Sequence, residues 1–115
     1  MREPLPLRAD IWLVDLDPTR GHEQAGVRPA LVVSTDVFNH GPAGLVVVLP
    51  LTTRARGIPL HILVDPPEGA VRQRSFIKCE DIRSIARERL VARWGSVSNS
   101  TMTVVEDRLR ILLDL

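Results

Sequence analysis

The chain has 115 residues, enough for one modest hydrophobic core and too few for two, so residues 1–115 read as a single domain. Apolar residues make up 44% and charged residues 25%, which excludes a disordered chain, and with only Trp12, Phe38, Phe76 and Trp94 as large aromatics the core must be aliphatic. A formal net charge of +1 gives no global attraction to polyanions, so any such binding has to come from local clusters.

In chain order, "DIWLVDL" (10–16) is apolar, bounded by Asp17-Pro18, and predicts a first strand. "ALVVST" (30–35) and "GLVVVLPLTT" (44–53) are continuous apolar runs that predict buried strands, with Pro50 marking an edge or a bulge. "LHILVD" (60–65) predicts a further strand. "SFIKCEDIRSI" (75–85) alternates, with Ser75, Ile77 and Cys79 on one side and Phe76, Lys78 and Glu80 on the other, and predicts one half-buried strand. "RLVARWGSV" (89–97) predicts the last strand. From Ser100 the period changes: Met102, Val105, Leu109, Leu112 and Leu113 recur at helical spacing, with Ser98, Asn99 or Ser100 able to cap the helix. Short strands followed by one helix predict a mainly β fold, a small and strongly bent sheet or barrel with the C-terminal helix packed on it.

The longest apolar stretch, residues 44–51, is far short of the ~20 residues that span a bilayer. No basic segment followed by an apolar one opens the chain, so the expectation is a cytoplasmic protein with no membrane partner. Cys79, the single cysteine, cannot form an internal disulfide, and its apolar neighbours suit a structural thiol. His22, His40 and His61 are scattered, and neither CxxC, HExxH nor a paired-aspartate pattern occurs, so neither a metal nor a cofactor is expected.

Functional groups concentrate instead in "RGHEQAGVRP" (20–29) and "PLTTRARG" (50–57). Gly21 and Gly26 permit backbone angles other residues avoid, and Pro29 biases Arg28 toward an extended conformation at the mouth of a strand. Arg54, Arg56, Arg72, Arg74 and Lys78 form a candidate basic surface. On residue types alone, an ordinary surface position for Arg28, ion-paired to Glu23, is favoured over catalysis.

Taken together and in order, "DIWLVDLDPTRGHEQAGVRPALVVS", "VVVLPLTTRARGIP" and "SFIKCEDIRSI", ahead of an amphipathic helix, resemble the MazF/PemK (Kid) family of toxins from bacterial toxin–antitoxin modules. The resemblance runs from about Asp10 to Leu113, and its E-Q-x-G-x-R-P core is a specific signal. It implies a PemK/CcdB-like fold, an SH3-like barrel with a C-terminal helix, acting as a homodimer. It also implies a sequence-specific, metal-independent endoribonuclease that cuts single-stranded RNA and is neutralised by a cognate MazE-like antitoxin. Carried over by position, the leading catalytic pair is Arg28 and Thr52, and the set assigned to members nearer PemK falls on His22, Lys78 and Glu80. The second set departs from its pattern: Lys78 replaces an arginine and Glu80 an aspartate, and a lysine cannot reproduce a bidentate phosphate contact.

The residue types suit that chemistry. Metal-free cleavage can use the RNA 2′-hydroxyl as nucleophile, leaving a 2′,3′-cyclic phosphate and a 5′-hydroxyl and sparing DNA. The enzyme must align the attack, stabilise added charge on phosphorus and help move two protons. Arg28 and Thr52 suit charge stabilisation, while His22, Glu23 and Glu80 are the candidate bases or substrate-positioning groups. Gln24, Thr53, Arg54, Arg56 and Lys78 are the candidate RNA contacts, and the scarcity of aromatics predicts a short groove rather than a wide stacking platform. Trp94 can stack on a base, but a core position is its default. Two rival functions remain at this level: a CcdB-like topoisomerase poison, whose family lacks the E-Q-x-G-x-R-P loop, and a non-catalytic SH3-like module binding RNA or peptide.

Overall fold

A computed structural model describes residues 5–16 and 26–115. Within them the strands are β1 (Asp10–Asp15), β2 (Val27–Val32), β3 (Leu45–Thr52), β4 (His61–Val64), β5 (Ser75–Lys78), β6 (Arg83–Ala86) and β7 (Leu90–Ser96). Two α-helices, α1 (Asp36–Asn39) and α2 (Asn99–Leu113), complete the described elements apart from short 3₁₀ turns. The strands pair antiparallel in the order β4-β5-β3-β2-β1-β7, with β6 added on β3. The result is barrel-like but not closed, since β4 and β7 end the path. Register shifts between Ile11 and Trp12 and between Leu13 and Val14 mark irregularities along the β1–β7 pair, the kind of feature that bends a sheet.

Alternation along β1 to β3 builds two cores from the same strands, because successive side chains leave opposite faces. Ile11, Leu31, Leu49 and Leu51 join one cluster, together with Ile77, Cys79 and the helix residues Met102 and Val105. Trp12, Val14, Ala30, Val32, Val46 and Val48 join the other, with Leu16 and Ile85. Both faces are therefore covered, which is why these strands are continuously apolar in sequence. The helix α2 starts where Ser98 caps it, its side chain accepting from the Thr101 N–H at 3.2 Å.

Two expectations change, and one element appears that none foresaw. Pro50 lies in the interior strand β3 rather than on an edge. One side of β3 is taken by β2, with Ala30 opposite Pro50. Along the other side β6 pairs with Leu45 to Val48 and β5 with Leu51 and Thr52, so the proline sits where one partner stops and the next begins, and its missing N–H costs no ladder bond. Residues 75–85 form two strands, not one: a 3₁₀ turn, Cys79–Asp81, separates β5 from β6 and lets the chain move from one half of β3 to the other. The single-turn α1, which no periodicity in the sequence predicts, is fixed by buried Asn39, whose Nδ2 donates to the Ser34 carbonyl at 3.0 Å.

Candidate functional site

The open end of this sheet carries a groove of about 940 Å³. Arg28 and Pro29 of β2, Leu51 and Thr52 of β3, and Thr53, Arg54, Arg56 and Ile58 of the following loop line one part of it. His61 of β4, Ser75 and Lys78 of β5, Glu80 and Asp81 of the 3₁₀ turn, Arg72 and Gln73, and Trp94 of β7 line the rest. Five cationic side chains face two carboxylates, so a chain of nearly balanced charge still presents a positive groove.

Topology places the two leading residues together. The β2–β3 register pairs Val32 with Val48, Leu31 with Leu49 and Ala30 with Pro50. Continued by two residues toward the open end, it sets Arg28 opposite Thr52, and both line the groove. Gly26, at φ 78°, supplies a left-handed residue just before β2, and its carbonyl accepts from the Leu16 N–H at 2.9 Å to close the stem of the β1–β2 connection. The Thr52 hydroxyl oxygen accepts from the Arg54 N–H at 3.2 Å, which orients the hydroxyl and leaves its own proton to donate.

Across the groove, β4 and β5 present further groups from one face. His61 stands opposite Lys78, and Leu63 opposite Phe76, which in turn faces Thr52 on β3. Ile62 and Ile77 occupy the opposite, core face of these strands. Lys78 Nζ lies 3.5 Å from Asp81 Oδ2, and Arg83 holds both oxygens of Asp81 at 2.9 and 2.8 Å. The His61 ring, 3% exposed, contacts Glu80 through Nε2 to Oε2 at 2.7 Å. At the rim the Arg72 guanidinium lies over Trp94, 5.0 Å from the ring centroid.

The groove thus gathers Arg28, Thr52, Thr53, Arg54, Arg56, Lys78 and Glu80 from the sequence-derived set. His22, Glu23 and Gln24 lie outside the described residues. Arg74 of the expected basic surface is turned to Asp65 instead, with bonds of 2.8 and 3.2 Å that push its pKa up. Arg72, also of that surface, lines the groove, and His61, Gln73 and Asp81 join the site unannounced. The one available signal for His61 was its position at the start of a strand, and the pairing with Lys78 that brings it here is not visible in one dimension. Trp94 is both things at once, packed on the first core cluster and lining the groove. Cys79 is fully buried in the turn; burial pushes its thiol up to about 11, the Glu80 carboxylate adds to this and Arg108 opposes it.

Comparison with known proteins agrees with this geometry. Residues 7–113 match the sequence model of the family described as "PemK-like, MazF-like toxin of type II toxin-antitoxin system". Endoribonuclease MazF9 of Mycobacterium tuberculosis (strain ATCC 25618 / H37Rv) is 37% identical over 113 residues, covering 94% of this chain and 96% of that protein. Endoribonuclease EndoA of Bacillus subtilis (strain 168) is 32% identical over 109 residues, with 94% of each covered. Among solved structures, MazF from Deinococcus radiodurans superposes with a TM-score of 0.87 at 28% identity, covering 98% of this chain and all (100%) of that one. An endoribonuclease from a Mycobacterial species in complex with its cognate antitoxin gives a TM-score of 0.77 at 26% identity, covering 96% of each chain. With the fold and the match over residues 7–113 in agreement, the chain belongs to the PemK-like, MazF-like family of toxins of type II toxin–antitoxin systems.

Proposed function

We propose that the endoribonuclease activity this chain shares with its family works on single-stranded RNA through Arg28 and Thr52, by attack of the substrate's own 2′-hydroxyl. The observation that carries this reading is that Arg28 and Thr52, opposite each other when the β2–β3 register is continued two residues past Ala30 and Pro50, line one groove with four further cations, Arg54, Arg56, Arg72 and Lys78. Arg28 provides positive charge for the phosphorane oxygens, and the oriented Thr52 hydroxyl donates to the same group; both interactions grow as charge develops on phosphorus. Arg54, Arg56 and Lys78 hold flanking phosphates, and Thr53 and Gln24 supply polar contacts to unstacked bases. Cleavage releases a 2′,3′-cyclic phosphate and a 5′-hydroxyl without a metal.

The protein acts as a homodimer, and a cognate antitoxin neutralises it. Support for the antitoxin comes from the Mycobacterial relative, an endoribonuclease solved in complex with its own cognate antitoxin. Size-exclusion chromatography with light scattering tests the dimer, and rescue of growth by the gene adjoining the toxin tests the antitoxin.

The mechanism is tested by incubating purified protein with a long single-stranded RNA in EDTA and mapping the 5′ ends of the products. Defined cuts with 5′-hydroxyl ends, lost in Arg28→Ala, are expected. A wild type inactive in EDTA, or an Arg28→Ala variant that cuts normally, rejects the mechanism. Relaxation and cleavage assays with gyrase test poisoning of a topoisomerase.

A further inference from the structure

Of the two carboxylates in the groove, one is already committed. Asp81 is held through both oxygens by Arg83, with Lys78 beside it. Glu80 is 31% exposed and, among the described residues, meets only His61, through Oε2. Its Oε1 is therefore an available anionic acceptor in a groove otherwise rich in donors.

His61 decides how that acceptor is held. Its ring is buried, Nε2 meets Glu80, and Nδ1 is buried with no hydrogen-bond partner among the described residues. A proton on Nδ1 would leave a buried N–H donor with no acceptor among the described residues, which is unfavourable. Placing the one ring proton on Nε2 gives the 2.7 Å contact with Glu80 Oε2 its donor, where the other tautomer would set two acceptors against each other. The proton is assigned to Nε2 on this ground, so His61 donates and a Glu80 carboxylate oxygen accepts. The backbone reinforces the arrangement, since the His61 N–H bonds to the Ile58 carbonyl at 2.9 Å and the Cys79 N–H to the Leu60 carbonyl at 3.3 Å, tying the two segments together.

We propose that His61 is a positioning residue for RNA cleavage: from beneath the groove it fixes the Glu80 carboxylate so that the remaining oxygen takes the proton of the attacking 2′-hydroxyl. The 2′-oxygen donates an electron pair to form the new O–P bond while its proton passes to Glu80. The P–O5′ bond breaks, its electron pair stays on the 5′-oxygen, and that oxygen takes a proton from water in the open groove. Glu80 then returns its proton to solvent. The inference rests on the 2′-hydroxyl mechanism proposed above.

Single-turnover cleavage of a short RNA at saturating protein, with binding of its 2′-deoxy analogue measured separately, tests it. Glu80→Gln is expected to slow cleavage ~100-fold or more, within the range of a lost general base, with analogue affinity changed less than about threefold. His61→Phe fills the space without a donor and is expected to slow cleavage ~10-fold or more, whereas His61→Gln, which retains an N–H, recovers most of the rate; these sizes are scaled down from the effect of losing the base itself. In the Glu80→Gln background, His61→Phe should cost nothing further, because its effect passes through Glu80. A full rate in Glu80→Gln, additive losses in the double variant, or a loss confined to analogue binding overturns the proposal. The last outcome would assign Glu80 to base recognition instead. Wild-type cleavage of the 2′-deoxy analogue would sink the underlying mechanism itself, a result separable from any effect of His61.

Discussion

Thr52 shows how little chemistry a single residue needs when its neighbours aim it. Its hydroxyl oxygen is pinned by the Arg54 N–H, so its proton points along a restricted set of directions. Thr52→Ala is expected to lower the single-turnover rate ~10- to 100-fold, at or below the loss seen for one oxyanion donor elsewhere, while the affinity for a 2′-deoxy RNA changes little. Rates and titrations on the same oligonucleotide separate the two effects. Cys79 makes the opposite case, a reactive group silenced by position. The unfolded thiol ionises near 9.0 and the native one at about 11, so the native state holds its proton more tightly. The stability this provides is complete below about pH 9 and is lost as pH rises toward 11. Thermal melts of wild type and Cys79→Ala across that window should converge, and iodoacetamide at pH 8 should label Cys79 only after unfolding. The burial of Cys79 fits the structural thiol expected from its apolar neighbours, and Arg28, Thr52, Arg54, Arg56, Lys78 and Glu80, singled out from the sequence for separate roles, line one groove. The sequence alone missed His61 because a lone histidine in an apolar strand has no meaning until its cross-strand partner is known.

Among the elements, α2 is the most legible and its start the most heavily built. Glu68, on the 3₁₀ turn Glu68–Ala70, accepts from the Ser98 N–H at 2.9 Å, the Ser98 hydroxyl at 3.2 Å and the Thr101 hydroxyl at 2.6 Å. Burial alone would raise its pKa, but these bonds outweigh it and hold the carboxyl below its ordinary 4.5. Its contribution is therefore present above about pH 4.5 and disappears as pH falls below that value. Glu68→Gln should cost about 0.3–1 kcal/mol at pH 7, the usual worth of an anion at a helix N-terminus, and the difference from wild type should shrink in unfolding curves as pH falls below 4.5. Period and capping residues made this helix readable from Ser98 onward, because both signals are local. The strands were readable as apolar runs for the same reason. Their breaks were not: the turn at Cys79–Asp81 keeps the alternation of Ser75, Ile77 and Cys79 intact while the pairing partner changes, so no local pattern marks it. The brief α1 likewise depends on the buried Asn39, a long-range packing fact.

At the scale of the molecule, charge distribution matters more than charge. The chain carries +1 in all, yet its groove collects Arg28, Arg54, Arg56, Arg72 and Lys78. Binding of a single-stranded, uncleavable RNA should weaken with salt, and removing Arg54 and Arg56 together should reduce the log–log slope by about 1.4, at ~0.7 per phosphate contact. Fluorescence anisotropy between 50 and 300 mM salt, ~two decades of affinity at most, measures this directly. An unchanged slope would remove those two arginines from the RNA path. A last consequence comes from β3, whose two halves lean on different neighbours and meet at Pro50. The sheet is in effect two panels sharing one spine: β6 braces one end, while the short β5 pairing at Leu51 and Thr52 braces the end that lines the groove. Cooperative opening need not involve both panels, and backbone amides at 51 and 52 should exchange with deuterium sooner than those at 46 to 48. A toxin built this way can yield at its working edge, to admit RNA or an inhibitor, without loosening the half of the fold that keeps it whole.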